Sequence, residues 1–352
     1  MKPLGVGIIG LSHLHPRDYL PLFAQVPQTQ VVAVAESNKE FLQEVTSQTG
    51  LQGYEDYNAL LERKDIDIVA VFLPHAQCPD AVEAAANHGK HIIVEKPMAS
   101  TAVGIRRMVD AAESNNVKLS VPYLWRYSVV SREIKRIIND GALGEILSCE
   151  GRCAAGKPER YMKLSPWILD KEKSGGGPMH NLGVHWIDLF HWLFDDEIVS
   201  VQGMVTRNTP DITVEDSSFA LARFSKGAVA ILDISYSVPA SYPHGRDLYV
   251  GIRGTKGAIS WSPAFGGIGD ELFVCSDAPG YGCAPLRTLS FTAQDVPGYC
   301  GIMGLEFIQD FVQVILEDKE PLILGADGAK ALDVVEAIYK SAETGKEVSL
   351  KI

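Results

Sequence analysis

The sequence lacks the features that mark membrane, secreted and nucleic-acid-binding proteins. It has no run of about 20 apolar residues, and none of its six cysteines forms a Cys-x-x-Cys pair, which excludes the common zinc and redox motifs. Lys and Arg number 32 against 44 Asp and Glu, and the net charge of −12 argues against anionic partners such as nucleic acid. The first residues lead directly into a strand, so we expect no signal peptide. We therefore expect a cytoplasmic protein with reduced thiols and without a metal, membrane or nucleic-acid partner.

The first third of the chain alternates strand and helix patterns. Its predicted strands are Leu4–Ile9, Gln30–Ala35, Asp67–Leu73, His91–Val94 and Lys118–Pro122. Its predicted helices are Pro16–Gln25, Lys39–Thr49, Pro79–His88 and Thr101–Ser114. This alternation predicts a doubly wound parallel sheet.

The rest of the chain is dominated by strands separated by turn residues, which predicts an antiparallel sheet. Its predicted strands are Ile146–Arg152, Val199–Thr206, Ser217–Phe224, Ala228–Tyr236, Leu248–Arg253 and Glu271–Cys275. Its predicted helices are Val129–Asn139, Met179–Phe194, Leu305–Leu316 and Gly328–Ala342. A length of 352 residues favours two domains, which we place at 1–122 and 123–352. Because a wide sheet needs cover on its second face, we expect a homodimer or homotetramer formed through it.

The turn after the first strand carries a modified dinucleotide-binding pattern. Gly5-x-Gly7-x-x-Gly10 matches the fingerprint by letters, but Gly5 and Gly7 fall inside the strand, whereas the fingerprint glycines belong to the turn. The frame that fits begins at Gly10 and places Ser12 and His15 where the second and third glycines normally stand. The alternative is a Rossmann-like domain that has lost its dinucleotide.

The helix after this turn can still face a phosphate, because Pro16 suits the first helical position. Our cofactor-binding candidates in the turn are Gly10, Ser12, His13 and Leu14. Glu36, at the end of the second strand, stands near the place of the acid that binds the ribose hydroxyls. Since no Arg follows it and Lys39 is the only nearby cation, we expect NAD rather than NADP. The alternative is an ordinary acidic residue before a helix.

Glu95-Lys96-Pro97 follows the predicted strand His91–Val94. Parallel sheets bind ligands beyond the carboxyl ends of their strands, so Lys96 is expected to face a crevice. There it can donate or accept a proton, with Glu95 close enough to influence it. The alternative is a surface salt bridge before a turn.

The run Gly89-Lys90-His91-Ile92-Ile93-Val94-Glu95-Lys96-Pro97 resembles the signature of the Gfo/Idh/MocA family (glucose–fructose oxidoreductase, inositol dehydrogenase, rhizopine catabolism). The resemblance continues through Asp140–Ile146, through Ser174–Gly177 with Gly183-x-His185-x-x-Asp188, and through Leu332–Leu350. It implies an N-terminal Rossmann domain and a C-terminal α+β domain with a large, mostly antiparallel open sheet. It also implies NAD(P)-linked oxidation or reduction of sugars, cyclitols and related alcohols. On this basis we add Pro74, Glu95 and Lys96 to the cofactor-binding candidates.

The run Gly175-Gly176-Gly177 is expected to let the chain turn closely past a ligand before a helix starts. Asn181, His185 and Asp188 follow this glycine run and share one face of the predicted helix. We assign Lys96, His185 and Asn181 as catalytic candidates, with His185 able to hold a proton near neutral pH. Taken alone, a histidine on an apolar helix is more often a hydrogen-bonded core residue, but Lys96 and the glycine run lead us to favour a catalytic role for His185. Asn181 replaces an Asp that is frequent in the family, and Cys78 replaces a frequent His, so the standard proton relay is altered.

Aromatic side chains suit the apolar faces of a sugar ring, and Arg suits its hydroxyls. The substrate-binding candidates are Tyr123, Arg126, Tyr161, Trp167, Asn181 and His185. The alternative for Trp125 and Trp167 is ordinary packing.

The sequence thus predicts an NAD(P)-dependent oxidoreductase acting on a sugar or polyol. Two alternatives remain open at this point. One is a glycosidase or lyase that oxidises its sugar transiently with bound NAD. The other is a non-catalytic dinucleotide or sugar sensor.

Overall fold

The computed structural model describes residues 2–239, 241–264 and 269–351. Its contacts group the chain into two compact units. The first comprises the chain up to Leu124 together with Tyr161–Gly175 and Val296–Lys330. The second comprises Trp125–Arg160, Gly176–Asp295 and the chain from Ala331 onward.

The first unit contains a six-stranded, fully parallel sheet with the strand order β3-β2-β1-β4-β5-β6. Its strands are β1 (Leu4–Ile9), β2 (Thr29–Ala35), β3 (Gln52–Tyr54), β4 (Ile68–Val71), β5 (His91–Val94) and β6 (Leu119–Ser120). Helices α1 (Pro16–Ala24), α2 (Lys39–Thr49), α3 (Tyr57–Leu61), α4 (Cys78–Asn87) and α5 (Ala102–Ser114) alternate with them. This order is that of a Rossmann dinucleotide-binding fold.

Local sequence accounts for most of these elements. β4 is apolar and fully buried, as expected for a central parallel strand covered on both faces. α2 begins at Asn38, whose side chain accepts the backbone N–H groups of Glu40 and Phe41, and it ends at Gly50 in the left-handed conformation. The predicted parallel sheet is confirmed. β3 and α3 were missed because they have only three and five residues, too few to show a periodicity.

The remaining helices, in chain order, are α6 (Val129–Asn139), α7 (Glu159–Met162), α8 (Lys171–Ser174), α9 (Val184–Phe194), α10 (Ile302–Glu317) and α11 (Gly325–Thr344). Among the described residues, no helix combines the length and apolar character needed to cross a membrane.

The second unit contains a nine-stranded sheet with the order β14-β13-β12-β11-β7-β10-β9-β8-β15. The strands are β7 (Ile146–Ala155), β8 (Ile198–Thr206), β9 (Ser217–Phe224), β10 (Val229–Ser235), β11 (Arg246–Gly254), β12 (Gly257–Trp261), β13 (Gly269–Ser276), β14 (Leu286–Thr292) and β15 (Val348–Ser349). Within the described residues, all neighbouring strands of this sheet pair antiparallel except β7 with β10. The predicted mostly antiparallel sheet is therefore confirmed, with β12, β14 and β15 added to the predicted strands.

One face of this sheet is packed by helices of the same unit. A Cβ on Gly151 of β7 would lie 2.4 Å from the Trp186 ring of α9, so only glycine fits there. The opposite face leaves several large apolar side chains exposed. Met204 is 74% exposed, Leu221 51% and Ile231 44%.

The predicted helix Met179–Phe194 consists of two parts. Met179–Gly183 is a π-helix, and α9 continues from Val184. π-helical turns are rare and are frequent at functional sites. A π-turn holds more residues than an α-turn. Asn181 and His185, which are four residues apart, are therefore still about one helical turn from each other.

Candidate functional site

The turn after β1 requires a glycine at its first position. Gly10 has φ +91°, and a Cβ there would lie 2.8 Å from the carbonyl carbon of Phe72. Gly5 and Gly7 lie inside β1, so the frame that begins at Gly10 is confirmed. α1 begins directly after the turn, and its N-cap residue His15 makes no side-chain cap. A helix start can bind a phosphate group through its dipole and its unpaired N–H groups.

Glu36 lies at the end of β2 and is 6% exposed. Its Oε2 accepts the backbone N–H of Leu11 at 2.6 Å, and its Oε1 accepts the backbone N–H of Asn38 at 2.8 Å. The carboxylate is therefore fixed beside the turn that follows β1. Lys39 is turned to Glu55, with 3.0 Å between Nζ and Oε1, and both side chains are mostly exposed. A buried carboxylate thus lies beside the turn after β1, where such a group can accept hydrogen bonds from ribose hydroxyls.

Lys96 and Glu95 follow β5 and are each only 3% exposed. This burial rules out the alternative of a surface salt bridge. Burial raises the pKa of Glu95, while His13, Lys96 and a hydrogen bond from Tyr19 work in the opposite direction. Tyr19 Oη lies 3.4 Å from Glu95 Oε2, and His15 Nδ1 lies 3.4 Å from Glu95 Oε1. The end of β5 is therefore a buried polar cluster.

The two histidines of the turn extend this cluster. The His15 ring stacks on Tyr299 with 4.0 Å between centroids, and His13 lies edge-on to His15 at 4.6 Å. The potential ligand atoms of His13, His15 and Glu95 lie within 4.8 Å of one another, a grouping that could suit a metal ion. However, His13 Nδ1 already accepts the backbone N–H of His15 at 3.2 Å. Burial, followed by His15 and Lys96, lowers the pKa of His13 well below its usual value, while Glu95 acts in the opposite direction. We interpret the group as a buried hydrogen-bonded network.

The segment Tyr161–Gly175 belongs to the same unit and reaches the turn. Ser165 Oγ and Trp167 Nε1 both donate to the backbone oxygen of Ser12, at 2.9 and 3.0 Å. The Trp167 ring also lies 4.8 Å from that of His75 and 5.7 Å from that of His13. Trp167 thus lies against the turn after β1, and its indole N–H is bound to the backbone oxygen of Ser12.

Other predicted residues of the first unit are buried. Tyr123 and Tyr161 are 0% and 3% exposed. Pro74 heads a short 3₁₀ turn, His75–Gln77, just after β4. Burial raises the pKa of the Cys78 thiol to about 12, and its Sγ points to the backbone oxygen of Leu73, so Cys78 is no substitute for a titrating histidine.

In the second unit, Asn181 and His185 lie on the π-helix and on the first turn of α9 respectively. Asn181 is 4% exposed, and its Nδ2 donates to Tyr236 Oη at 2.9 Å. His185 is partly exposed. Tyr236 lies directly after β10 and is the last residue of our predicted strand Ala228–Tyr236. It was missed as a site residue because a single Tyr at a strand end carries no specific signal.

Arg126 and Asp188 form a buried, two-pronged ion pair within this unit. Arg126 Nε and Nη2 lie 3.0 and 2.5 Å from the two carboxylate oxygens of Asp188. Their side chains are 7% and 1% exposed. The pair commits two of the five donors of Arg126 to the helix that carries His185. Trp125 lies edge-on to Trp186 and Trp261, which favours ordinary packing for this residue.

The glycine run before the π-helix is fitted closely by protein atoms. A Cβ on Gly176 would lie 2.3 Å from Tyr339 Oη, and one on Gly177 would lie 2.1 Å from the backbone oxygen of Glu215. We expected the run to let the chain pass a ligand. The structure shows that Glu215 and Tyr339 already require it.

Two family profiles match the chain. The profile described as an oxidoreductase family with an NAD-binding Rossmann fold matches residues 4–123. The profile described as the GFO/IDH/MocA C-terminal domain matches residues 131–260. Together they cover most of the sequence.

Individual proteins agree with these profiles. The chain is 26% identical over 294 residues to levoglucosan dehydrogenase of Pseudarthrobacter phenanthrenivorans, covering 74% of this chain and 73% of that protein. It is 26% identical over 300 residues to D-xylose 1-dehydrogenase (NADP(+)) of Haloarcula marismortui, covering 84% and 78%. The solved structure of levoglucosan dehydrogenase in complex with NADH and levoglucosan has a TM-score of 0.88 over 100% of both chains at 24% identity, a likeness of fold.

Proposed function

This chain belongs to the Gfo/Idh/MocA family of NAD-binding oxidoreductases, and from that premise we propose that it transfers a hydride between a nicotinamide cofactor and a hydroxyl- or keto-bearing carbon of a sugar, cyclitol or related polyol. The names of its relatives, levoglucosan and D-xylose dehydrogenases, support a sugar-class substrate. The observation that carries the proposal is the buried Glu95-Lys96 pair at the carboxyl end of β5, in the unit that also holds the Gly10 turn.

The proposed roles follow from the chemistry of each group. A bound nicotinamide would supply the hydride acceptor or donor. Lys96 takes or returns the proton of the reacting hydroxyl, a role suited to a positioned amine. His185 holds a proton near neutral pH, and Asn181 orients a substrate hydroxyl through its amide.

We assign the remaining candidates in the same way. Gly10, Ser12, His13, Leu14, Glu36, Pro74 and Glu95 form the cofactor set with Lys96. Tyr123, Arg126, Tyr161 and Trp167 form the substrate set with Asn181 and His185. We further propose that residues 1–122 carry the cofactor and residues 123–352 the substrate, in a cytoplasmic enzyme.

The direct test is a screen of sugars, cyclitols and polyols with NAD and with NADP, read as absorbance of the reduced cofactor. We expect turnover with at least one substrate of this class. Binding of cofactor without turnover on any of them would contradict the proposal and favour a sensor.

Cofactor choice gives a first prediction. A 2′-phosphate would meet the buried charge of Glu36, and Lys39 is turned to Glu55. We expect kcat/KM to be at least about 10-fold higher with NAD than with NADP, since like charges brought together cost several kcal/mol. Glu36→Gln should narrow this ratio, because Gln removes the charge and keeps an acceptor for Leu11. Steady-state kinetics with both cofactors measure it.

The matched control is Glu55→Ala. It releases Lys39 without touching Glu36, and it should leave the NAD to NADP ratio within a few-fold of wild type because an exposed ion pair contributes little. A ratio that reverses in Glu55→Ala would show that Lys39 governs the pocket. A wild-type preference for NADP would contradict the role of Glu36.

We also propose that the exposed face of the nine-stranded sheet binds a second copy of this chain. Phe219 pairs across the sheet with Met204 and Asp233, and Leu221 pairs with Ile231. On the neighbouring strand β7, Arg152 lies opposite Asp233. Arg152 Nη1 donates to Asp247 Oδ2 at 2.8 Å. A face that carries apolar side chains and charges of both signs can complement itself across a two-fold axis.

Substitution on this face gives a second prediction. Leu221→Asp should convert the oligomer to monomer in size-exclusion chromatography with light scattering, because it places a charge at the centre of an apolar contact. Val103→Asp is the matched control, since Val103 is 65% exposed on α5 of the other unit. A monomeric wild-type protein, or equal dissociation by both variants, would contradict the proposal.

A further inference from the structure

Glu215 lies two residues before β9 and is not among the residues assigned above to the cofactor or substrate. We propose that Glu215 is a positioning residue of the reaction: its carboxylate, held by Tyr339, fixes the start of the π-helix and thereby places Asn181 and His185. This inference rests on the proposed function for those two residues.

The carboxylate of Glu215 binds the beginning of the helix directly. Its Oε2 accepts the backbone N–H of Gly177 at 2.9 Å, and its Oε1 accepts that of Met179 at 3.3 Å. Oε1 also accepts the Tyr339 hydroxyl at 2.6 Å. A carboxylate is the favoured group at this end of a helix, where unpaired N–H groups and the dipole attract negative charge.

The environment strengthens this anchor. Burial raises the pKa of Glu215, while Tyr339 and the backbone N–H groups of Gly177 and Met179 favour its charged form. Burial, followed by the charge of Glu215 and the hydrogen bond to it, raises the pKa of Tyr339 well above its usual value, so its hydroxyl keeps the proton that it donates. The absence of side chains at Gly176 and Gly177 gives both residues room to close on the chain.

Met179, whose backbone N–H is bound by Glu215, is two residues before Asn181. The backbone N–H of Asn181 donates to the backbone oxygen of Gly177 at 2.9 Å. Gly177, whose own N–H is bound by Glu215, therefore also begins the hydrogen bonds of the helix. At its side chain, Asn181 is held by Tyr236 at 2.9 Å. A π-turn is intrinsically less favourable than an α-turn and therefore depends on outside contacts to keep its geometry. Displacement of Gly177 would move Asn181 first and His185 one turn later.

The experiment compares Glu215→Gln with wild type. Gln keeps one acceptor oxygen, but its NH₂ group would face a backbone N–H that needs an acceptor. We expect kcat to fall about 10- to 100-fold, in line with the cost of small misplacements in active sites, while KM for NAD changes less than about two-fold because the cofactor set is elsewhere. We also expect faster hydrogen exchange in residues 177–185. Glu215→Asp, which keeps the charge, should recover part of kcat, and Tyr339→Phe should show the same pattern more weakly.

Asp216 supplies a matched control at the next residue. Its Oδ2 accepts the backbone N–H groups of Asn208 and Thr209, each at 2.7 Å, and the Thr209 hydroxyl at 2.9 Å. Asp216→Asn therefore weakens an anchor of the same kind on a different segment. We expect it to leave kcat and exchange in residues 177–185 near wild type.

The outcomes separate this inference from the proposed function. An inactive wild-type enzyme would overturn the proposed function, whereas the exchange measurement needs no substrate. The positioning role is overturned if Glu215→Gln keeps wild-type kcat, if exchange in residues 177–185 is unchanged, or if Asp216→Asn lowers kcat equally. Should Glu215→Gln fail to fold, Tyr339→Phe carries the same test.

Discussion

Lys96→Met should lower kcat by about 100-fold or more while NAD still binds. Lys96 is 3% exposed beside Glu95 at the end of β5, and loss of a proton-transferring group typically costs two to four orders of magnitude in rate. Met keeps most of the length of the side chain, so packing changes little. Steady-state kinetics with the best substrate of the screen measure kcat, and fluorescence of bound NADH measures the cofactor.

Lys90 provides the control for this variant. It is also buried, at 5% exposure, and its Nζ donates to the backbone oxygens of Arg63 and Ile66 at 2.8 and 2.9 Å. Lys90→Met should cost stability, by about 1–3 kcal/mol for each carbonyl left unpaired, yet keep the kcat of the folded enzyme. Near-normal turnover in Lys96→Met would remove Lys96 from the catalytic set. An equal loss of kcat in Lys90→Met would attribute the effect to folding.

Asp188→Ala should lower the free energy of unfolding by about 3–5 kcal/mol. It strands the guanidinium of Arg126, whose Nε and Nη2 lie 3.0 and 2.5 Å from the Asp188 carboxylate in a buried site. Removing one partner of a buried pair leaves an uncompensated charge, which is the costly event. Urea unfolding of both proteins, with matched slopes, gives the difference.

The double variant Arg126→Met/Asp188→Leu distinguishes a stranded charge from general loss of packing. Replacing both partners with apolar residues of similar size is often close to neutral. We therefore expect it to be more stable than Asp188→Ala. If its loss of stability equals the sum of the losses in the single variants Arg126→Met and Asp188→Leu, the two side chains act independently and the pair has no coupling energy.

The helices and strands that the sequence predicted accurately are those with a long, continuous sequence pattern. β1, α2, β9 and α6 were placed to the residue, because their apolar periods or caps are continuous over six or more residues. The π-helix was not foreseen, since Met179–Gly183 carries the same apolar spacing as an α-helix and its difference lies in backbone hydrogen bonds. β6 spans only two of the five residues predicted for it.

The site shows the same division. Residues within recognisable motifs, such as Gly10, Glu36 and Lys96, were proposed from local sequence alone. Glu215 and Tyr339 were missed, because Tyr339 Oη meets Glu215 Oε1 across a separation of 124 residues. No local pattern marks such a pair. Their only trace was the glycine run, which we first attributed to a ligand and which the structure explains by the two side chains that press against it.

The first unit is assembled from three separate stretches of the chain, which restricts how recombination could divide the gene. Tyr299, which stacks on His15, and Ile323, whose backbone oxygen accepts the Ser120 hydroxyl at 2.7 Å, come from Val296–Lys330. Trp167 and Ser165, which hold Ser12, come from Tyr161–Gly175. A gene fragment encoding only residues 1–122 would carry every strand of the parallel sheet but would leave these partners behind. The turn after β1 therefore depends on contacts from distant parts of the chain. Exchange of the N-terminal segment between relatives would succeed only where those two later segments match it.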